Sequence, residues 1–302
     1  MSLSTPASAL PDRSSRSLRT LRASGSARIG IAVLVVIGLC AAVPHLLAPF
    51  DPSDQRLLAR FTPPFTRASD GTLAVLGTDQ LGRDILSRLI YGARTSSLIG
   101  FLAVLLAGLV GTALGLLAGV RSGAADHAVM RLADMQLAFP FILLAITVIG
   151  ILGPSIRNLI LVVGLSNWAA YARVVRAETL AVRERAYVEA ARSLGLRLPR
   201  LVLRHILPNV SASLMVVATF GIAGAILTEA GLSFLGLGVP VAIPSWGGML
   251  AEGRQYVDTR YWLALFPGAA LFMTVMAINL LGDTLRDMLD PYLYTRRSLD
   301  QL

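Results

Sequence analysis

Six stretches of the chain run at about the length a helix needs to cross a bilayer, with at most two charged residues each. They are residues 29–47, 95–120, 129–152, 156–175, 206–228 and 261–281. A spanning helix takes roughly 20 apolar residues. Backbone donors and acceptors in hydrocarbon must be satisfied inside the segment, which selects the α-helix. The pattern predicts an all-α, polytopic membrane protein with six transmembrane helices. Residues 1–28 read as a flexible basic cytoplasmic tail. The basic tail and short first run also fit a signal peptide, but five further spans favour its retention as an anchor.

The first span and a long polar loop fill 29–94, a core 95–285, and a polar cytoplasmic tail 286–302. The loop carries Pro49, Pro52, Pro63 and Pro64. Near its end Leu81, Ile85, Leu89 and Ala93 recur every four residues, while Arg83, Asp84, Ser87 and Arg88 fall elsewhere. This predicts either an interfacial helix leading into the second span or a loop helix packed on protein. In the second span Gly111, Gly115 and Gly119 share one face, a helix-packing seam that lets a neighbouring backbone come close. Gly153, Pro154 and Ser155 predict a tight turn between the third and fourth spans.

Composition agrees. The 302 residues are 55% hydrophobic and 15% charged, against about 25% charged in soluble domains. The net charge of +9 is distributed beside the spans rather than on a nucleic-acid-binding face. All 27 basic residues are Arg, which excludes the Gly-Lys-Ser/Thr step of a P-loop and any Schiff-base lysine. With the N-terminus inside, inside segments hold 18 arginines and outside segments nine. That bias predicts both termini in the cytoplasm. Cys40 is the only cysteine, a small apolar residue in a span. His45, His127 and His205 show no ligand spacing, so no metal site is expected.

Eight arginines crowd residues 173–204, between the fourth and fifth spans. Val182, Ala186, Ala190 and Leu194 fall on one helical face. Gly195 suits a left-handed cap, and Pro199 can open a second helix. The local reading is helix, glycine turn, helix, with a small-residue tip. A surface helix whose arginines touch anionic lipid would explain the charge but not the hairpin.

"EAARSLG" followed twelve residues later by "LP" resembles the EAA loop of ABC-importer permeases. Glu189, Ala190, Ala191, Gly195, Leu207 and Pro208 match in register. His205 stands where that pattern usually has isoleucine. "LGTDQLGRDILSRLIYGARTS" (76–96), "EAGLSFLGLG" with "PSWGGMLAEGR" (229–254) and "RDMLDP" (286–291) resemble signatures of the C-type permease of dipeptide, oligopeptide and nickel importers. The resemblance covers about 29–291. It implies a type I importer permease fold in a bacterial plasma (inner) membrane, with a cytoplasmic coupling loop at 177–208 that docks on a separate ATPase. It further implies two ATPase subunits holding ATP and Mg, a homologous sister permease, and an extracytoplasmic solute-binding protein. No cofactor and no catalytic residue are expected in this chain; the resemblance implies di- or oligopeptides or a related small solute as the cargo, with a nickel- or glutathione-type permease as the alternative. An ion-coupled transporter is the rival class, but the mid-span positions offer no carboxylate or histidine relay.

Ionisable and polar residues within spans are the other candidates. Asp134 is expected to pair with Arg131 at i,i+3. Glu229 would line an outer gate or cap a helix. Ser211, Ser213, Thr219 and Asn279 would touch the translocation path or make packing hydrogen bonds. Trp168, Trp246 and Trp262 would anchor at the membrane interface.

Overall fold

The computed structural model describes residues 25–289; most of the N-terminal tail and residues 290–302, including Pro291 of the last signature, lie outside them. Five continuous helices are long and apolar enough to span: α1 (Gly25–Ala42), α3 (Ile85–Arg121), α6 (Ile156–Arg183), α9 (Leu207–Phe234) and α11 (Trp262–Leu289). The first ends sooner than expected because Pro44 starts a separate turn, α2 (Pro44–Leu47), after the non-helical Val43.

The expected third span is broken. α4 (Ala124–Ala138) and α5 (Phe141–Leu152) meet at an angle of 85°. Pro140 lacks a backbone N–H and disfavours helix at the residue before it; Phe139 is accordingly extended, with φ −89° and ψ 128°. Together the two helices still make one crossing. α3 and α6 are parallel, since Gly111 faces Trp168, Gly115 faces Ala172 and Gly119 faces Thr179. The chain leaves one end of α3 and must enter α6 at the opposite end. α4 and α5 make that return, giving six crossings in all.

The α3–α6 seam leaves no room for side chains. A Cβ on Gly111 would come 2.5 Å from the Trp168 carbonyl oxygen, and one on Gly115 2.6 Å from that of Ala172. Lipid tails are as apolar as side chains, so association inside the bilayer depends on such close packing. α9 lies antiparallel to α3, with Gly100 against Ile226 and Gly221 against Val104. α11 packs on α9 and α1, where Gly30 approaches the Ala277 carbonyl.

The polar loop is ordered. It holds a short hairpin, β1 (Thr66–Arg67) against β2 (Leu73–Ala74), and leads into α3 at Asp84. No separate interfacial helix precedes the second span. Asp84 caps Ile85–Arg121, a single 37-residue helix about 55 Å long. On the same side, α10 (Trp246–Gly253) lies between α9 and α11. The opposite side carries the hairpin of α7 (Ala186–Ser193) and α8 (Leu198–Leu201). These two ends are called the loop side and the hairpin side.

Candidate functional site

The hairpin is built as a rooted lever with a bare tip. α7 ends in a Schellman motif: Gly195 N–H donates to Arg192 O at 3.0 Å and Leu196 N–H to Ala191 O at 3.2 Å. That geometry requires the left-handed conformation of Gly195, φ +80°. Pro199 sits in the first turn of α8. Residues Val202–Ile206 then form a π-turn that runs into α9. Pro208 has no N–H to offer Arg204, and its ring crowds that carbonyl, so the wider turn relieves the clash.

The root is apolar. Val188, Leu201 and Ile206 are buried against Val175, Val182 and Val210. The face expected to unite Val182 with Ala186, Ala190 and Leu194 is divided: Val182 belongs to α6 and is buried, whereas Ala186 and Ala190 on α7 and Leu194 at its C-terminal cap are exposed. The helix break at Glu184–Arg185 separates them. Leu194 is 89% exposed at the tip. Glu189 is exposed, and its carboxylate has no partner among the described residues.

Polar side chains tie α6, which carries the hairpin, to its neighbours. Arg183 Nη1 donates to the carbonyls of Gly119 (3.1 Å) and Val120 (3.3 Å) and to Ser122 Oγ (2.6 Å). It thereby caps the end of α3, whose last carbonyls have no helical partner. Arg176 grips Asp126 of α4 with two parallel hydrogen bonds. Ser213 of α9 donates to Glu178 at 2.7 Å. Asp134 does not pair with Arg131; it accepts from Arg173 of α6 at 2.6 Å, because α4 lies across α6 and brings that guanidinium closer.

The loop side holds a buried ionic cluster that sequence reading placed on a polar helix face. Arg83 Nε donates to Asp79 Oδ2 (2.6 Å) and its Nη2 to Glu252 Oε2 (2.7 Å). Arg88 Nη1 bridges Asp79 (2.5 Å) and Glu252 (2.8 Å). Gln80 adds a bond to Glu252 at 2.9 Å. Burial pushes the Glu252 carboxyl up, but hydrogen bonding from Arg88, the charges of Arg88 and Arg83 and the Gln80 bond outweigh it and hold its pKa below the usual value. Every member lies in the 76–96 or 229–254 block, so the two blocks are the halves of one clamp. Their joint presence was the available signal.

Glu229 neither caps a helix nor lines an opening. It is fully buried, accepting from Ser233 Oγ (2.7 Å) and Ser96 Oγ (3.3 Å). Ser96 accepts in turn from Trp246 N–H at 3.2 Å. The carboxyl thus joins α3, α9 and the start of α10. The three tryptophans are also inside protein: Trp168, Trp246 and Trp262 are 7%, 2% and 5% exposed. Trp246 covers Gly92 and donates Nε1–H to Leu89 O at 3.0 Å.

The other expected path residues are not brought together. Ser211 and Thr219 bond back to carbonyls of their own segment, Pro208 and Met215. Asn279 lines a separate groove on α11 with Asp283. A cavity between α3, α6 and α9 instead gathers Asn167, Tyr171 and Thr228, none of which the sequence singled out.

Residues 111–293 match the family described as "Binding-protein-dependent transport system inner membrane component", and residues 14–64 match "N-terminal TM domain of oligopeptide transport permease C". The chain is 43% identical, over 87% of both chains, to the di/tripeptide transport system permease protein of Pseudomonas aeruginosa. It is 41% identical to the glutathione transport system permease protein of Pectobacterium atrosepticum, over 91% of this chain and 89% of that one. It is 39% identical to the nickel transport system permease protein of Escherichia coli, over 90% and 96%. Among solved structures, the inward-facing MetNI methionine ABC transporter shares the fold at TM-score 0.55 and 21% identity, covering 68% of this chain and 97% of that one.

Proposed function

The chain belongs to the binding-protein-dependent ABC-importer permeases of the dipeptide, oligopeptide and nickel family, and from that premise we propose that it carries di- or oligopeptides across a bacterial plasma membrane. The peptide assignment rests on the di/tripeptide and dipeptide permeases among its relatives. The chain has no ATPase site of its own; ATP and Mg are held by two partner subunits. Its remaining partners are a sister permease of different sequence and an extracytoplasmic solute-binding protein. Both termini and the hairpin face the cytoplasm.

The observation that carries this reading is the hairpin itself. Its root is packed into the membrane helices, while Leu194, Glu189 and Ala190 stand free at the end. A lever of this kind converts the closing of an ATPase pair into helix movement. Arg183, Arg176 and Glu178 extend the push from α6 to α3, α4 and α9. Glu189, Ala190, Ala191, Gly195, Leu207 and Pro208 remain the coupling set, with Gly195 setting the turn and Glu189 offering an unpaired acceptor to the ATPase.

The test is purification from native membranes with identification of companions by mass spectrometry. Two P-loop ATPases and a sister permease are expected, and ATP-dependent peptide uptake on reconstitution. Uptake by this chain alone under a proton gradient would overturn the reading. Uptake of glutathione or chelated nickel in place of peptides would correct the cargo.

A further inference from the structure

The arginines of residues 173–204 fall into two groups. Arg173, Arg176, Arg183 and Arg185 are engaged by Asp134, Asp126, Ser122 and Asn209. Arg192 is exposed on α7 near the tip. Arg197, Arg200 and Arg204, on the arm that returns to the membrane, are also exposed, and their guanidinium groups have no partner among the described residues. Residues 190–228 contain neither Asp nor Glu, so the arm has no acid of its own to compensate them.

The arm enters the bilayer without a break: α8, the π-turn and α9 form one continuous helix from Leu198 to Phe234. Its depth follows from the antiparallel contact of Gly221 with Val104. Seventeen residues back from Gly221 lies Arg204, and seventeen residues on from Val104 lies Arg121. Arg121 follows directly on the apolar run 95–120 of α3. Arg204 therefore stands where the apolar part of the bilayer ends, and Arg200 about one turn further out. Leu203 between them is 66% exposed. At helical spacing Arg197, Arg200, Leu203 and Arg204 share the outer side of the arm, while Leu201 and Ile206 face the buried root.

We propose that this outer side is a docking surface for the headgroups of anionic phospholipids in the cytoplasmic leaflet. The proposal rests on the reading of the hairpin side as cytoplasmic. Charge and depth together choose the occupant. A guanidinium at headgroup level can grip a phosphate through parallel N–H donors, and each arginine beside an anionic surface contributes roughly a fivefold preference. Leu203 meets the acyl boundary, as apolar side chains do in basic interfacial helices. An acidic groove on an ATPase would match the arginines, but not an apolar side chain exposed at the edge of the bilayer. The hairpin thus makes two contacts: its tip meets the ATPase, and its returning arm rests on lipid.

The test uses the complete importer with its ATPase subunits, in vesicles of equimolar phosphatidylglycerol and phosphatidylethanolamine. Leu203→p-benzoylphenylalanine places a photocrosslinker on the arm, and mass analysis identifies what it captures. Phosphatidylglycerol should be captured in about fivefold excess or more over phosphatidylethanolamine. Adding Arg200→Gln and Arg204→Gln should bring the two lipids to equal capture with the ATPase subunits still bound, since both side chains are exposed. Capture of an ATPase subunit in place of lipid overturns the proposal and gives the arm to that interface. Equal capture of the two lipids with the arginines intact overturns it as well, whatever the glutamine variants do. Trypsin added to intact spheroplasts separates the proposal from the reading beneath it. A cut between Arg197 and Arg204 from outside overturns the cytoplasmic placement and the docking surface together. A protected arm without a phosphatidylglycerol excess overturns the docking surface alone.

Discussion

The guanidinium of Arg88 donates to both carboxylate oxygens of Glu252, at 2.8 and 3.0 Å, across 164 residues of sequence. The Arg88 side chain is buried, at 4% exposure, and that of Glu252 is half-buried, at 16%. Removing one partner of such a pair strands the other's charge, which typically costs about 3–5 kcal/mol. Asp79 still holds both arginines, so Glu252→Ala should lie near the lower end, at about 3 kcal/mol. A drop in melting temperature of the detergent-purified protein checks this. An unshifted melting curve would mean that the clamp does not stabilise the fold.

The same carboxylate gives the clamp a pH dependence of known sign. Its folded pKa is depressed: burial raises it, but Arg88, Arg83 and Gln80 more than reverse that. Its stabilisation is therefore complete above the ordinary carboxylate pKa and lost as pH falls through the lower folded value. Proteolysis of the loop 48–84 should stay slow down through the ordinary carboxylate range and accelerate only below it. Glu252→Gln should flatten that profile.

Glu229 supports a similar argument without a counter-ion. It accepts from Ser96 and Ser233 in a fully buried position. Glu229→Leu leaves the O–H donors of Ser96 and Ser233 without their acceptor, at about 1–3 kcal/mol each, while Glu229→Gln keeps an acceptor oxygen. The leucine variant should melt well below the glutamine variant. Equal melting temperatures would show that the hydroxyls find other partners.

Arg183 joins the base of the hairpin to the end of α3 through Ser122 and two carbonyls. Its loss should leave the hairpin docked yet loosen the link to α3. Arg183→Ala is expected to retain ATPase subunits on purification and to transport fewer peptides per ATP; Arg183→Lys, which keeps a donor, should recover part of the ratio. A wild-type ratio in the alanine variant would remove Arg183 from the transmission path.

The six crossings were legible in the sequence because apolar length alone decides what can sit in a bilayer. The hairpin was legible because Gly195 and Pro199 impose backbone states that few residues tolerate. The break at Pro140 was present as a Phe-Pro-Phe step, but a hydropathy average passes over a backbone kink. The ionic clamp was hidden for a different reason. Periodicity separates polar from apolar faces, and it cannot tell that the polar face of Arg83 and Arg88 meets an acid 164 residues away from one of them. The same limit misassigned Asp134 to Arg131 and sent three buried tryptophans to the interface.

Gly195 concentrates the functional proposal in one backbone angle. Its φ of +80° closes the Schellman motif that turns α7 back towards α8. A Cβ there meets no neighbouring atom, so any defect from substitution is conformational rather than steric. Left-handed geometry costs an ordinary L-residue roughly 1–2 kcal/mol, and a β-branched residue tolerates it worst. The root at Val188, Leu201 and Ile206 does not depend on that turn, so Gly195→Val should insert and assemble. Its tip, however, would present Leu194 and Glu189 in the wrong direction to an ATPase groove. Peptide uptake should fall at least tenfold, the rate equivalent of about 1.4 kcal/mol, with membrane levels unchanged. Gly195→Asn, which accepts φ > 0 more readily, should recover much of it. Normal uptake by the valine variant would show that the turn does not set the coupling geometry.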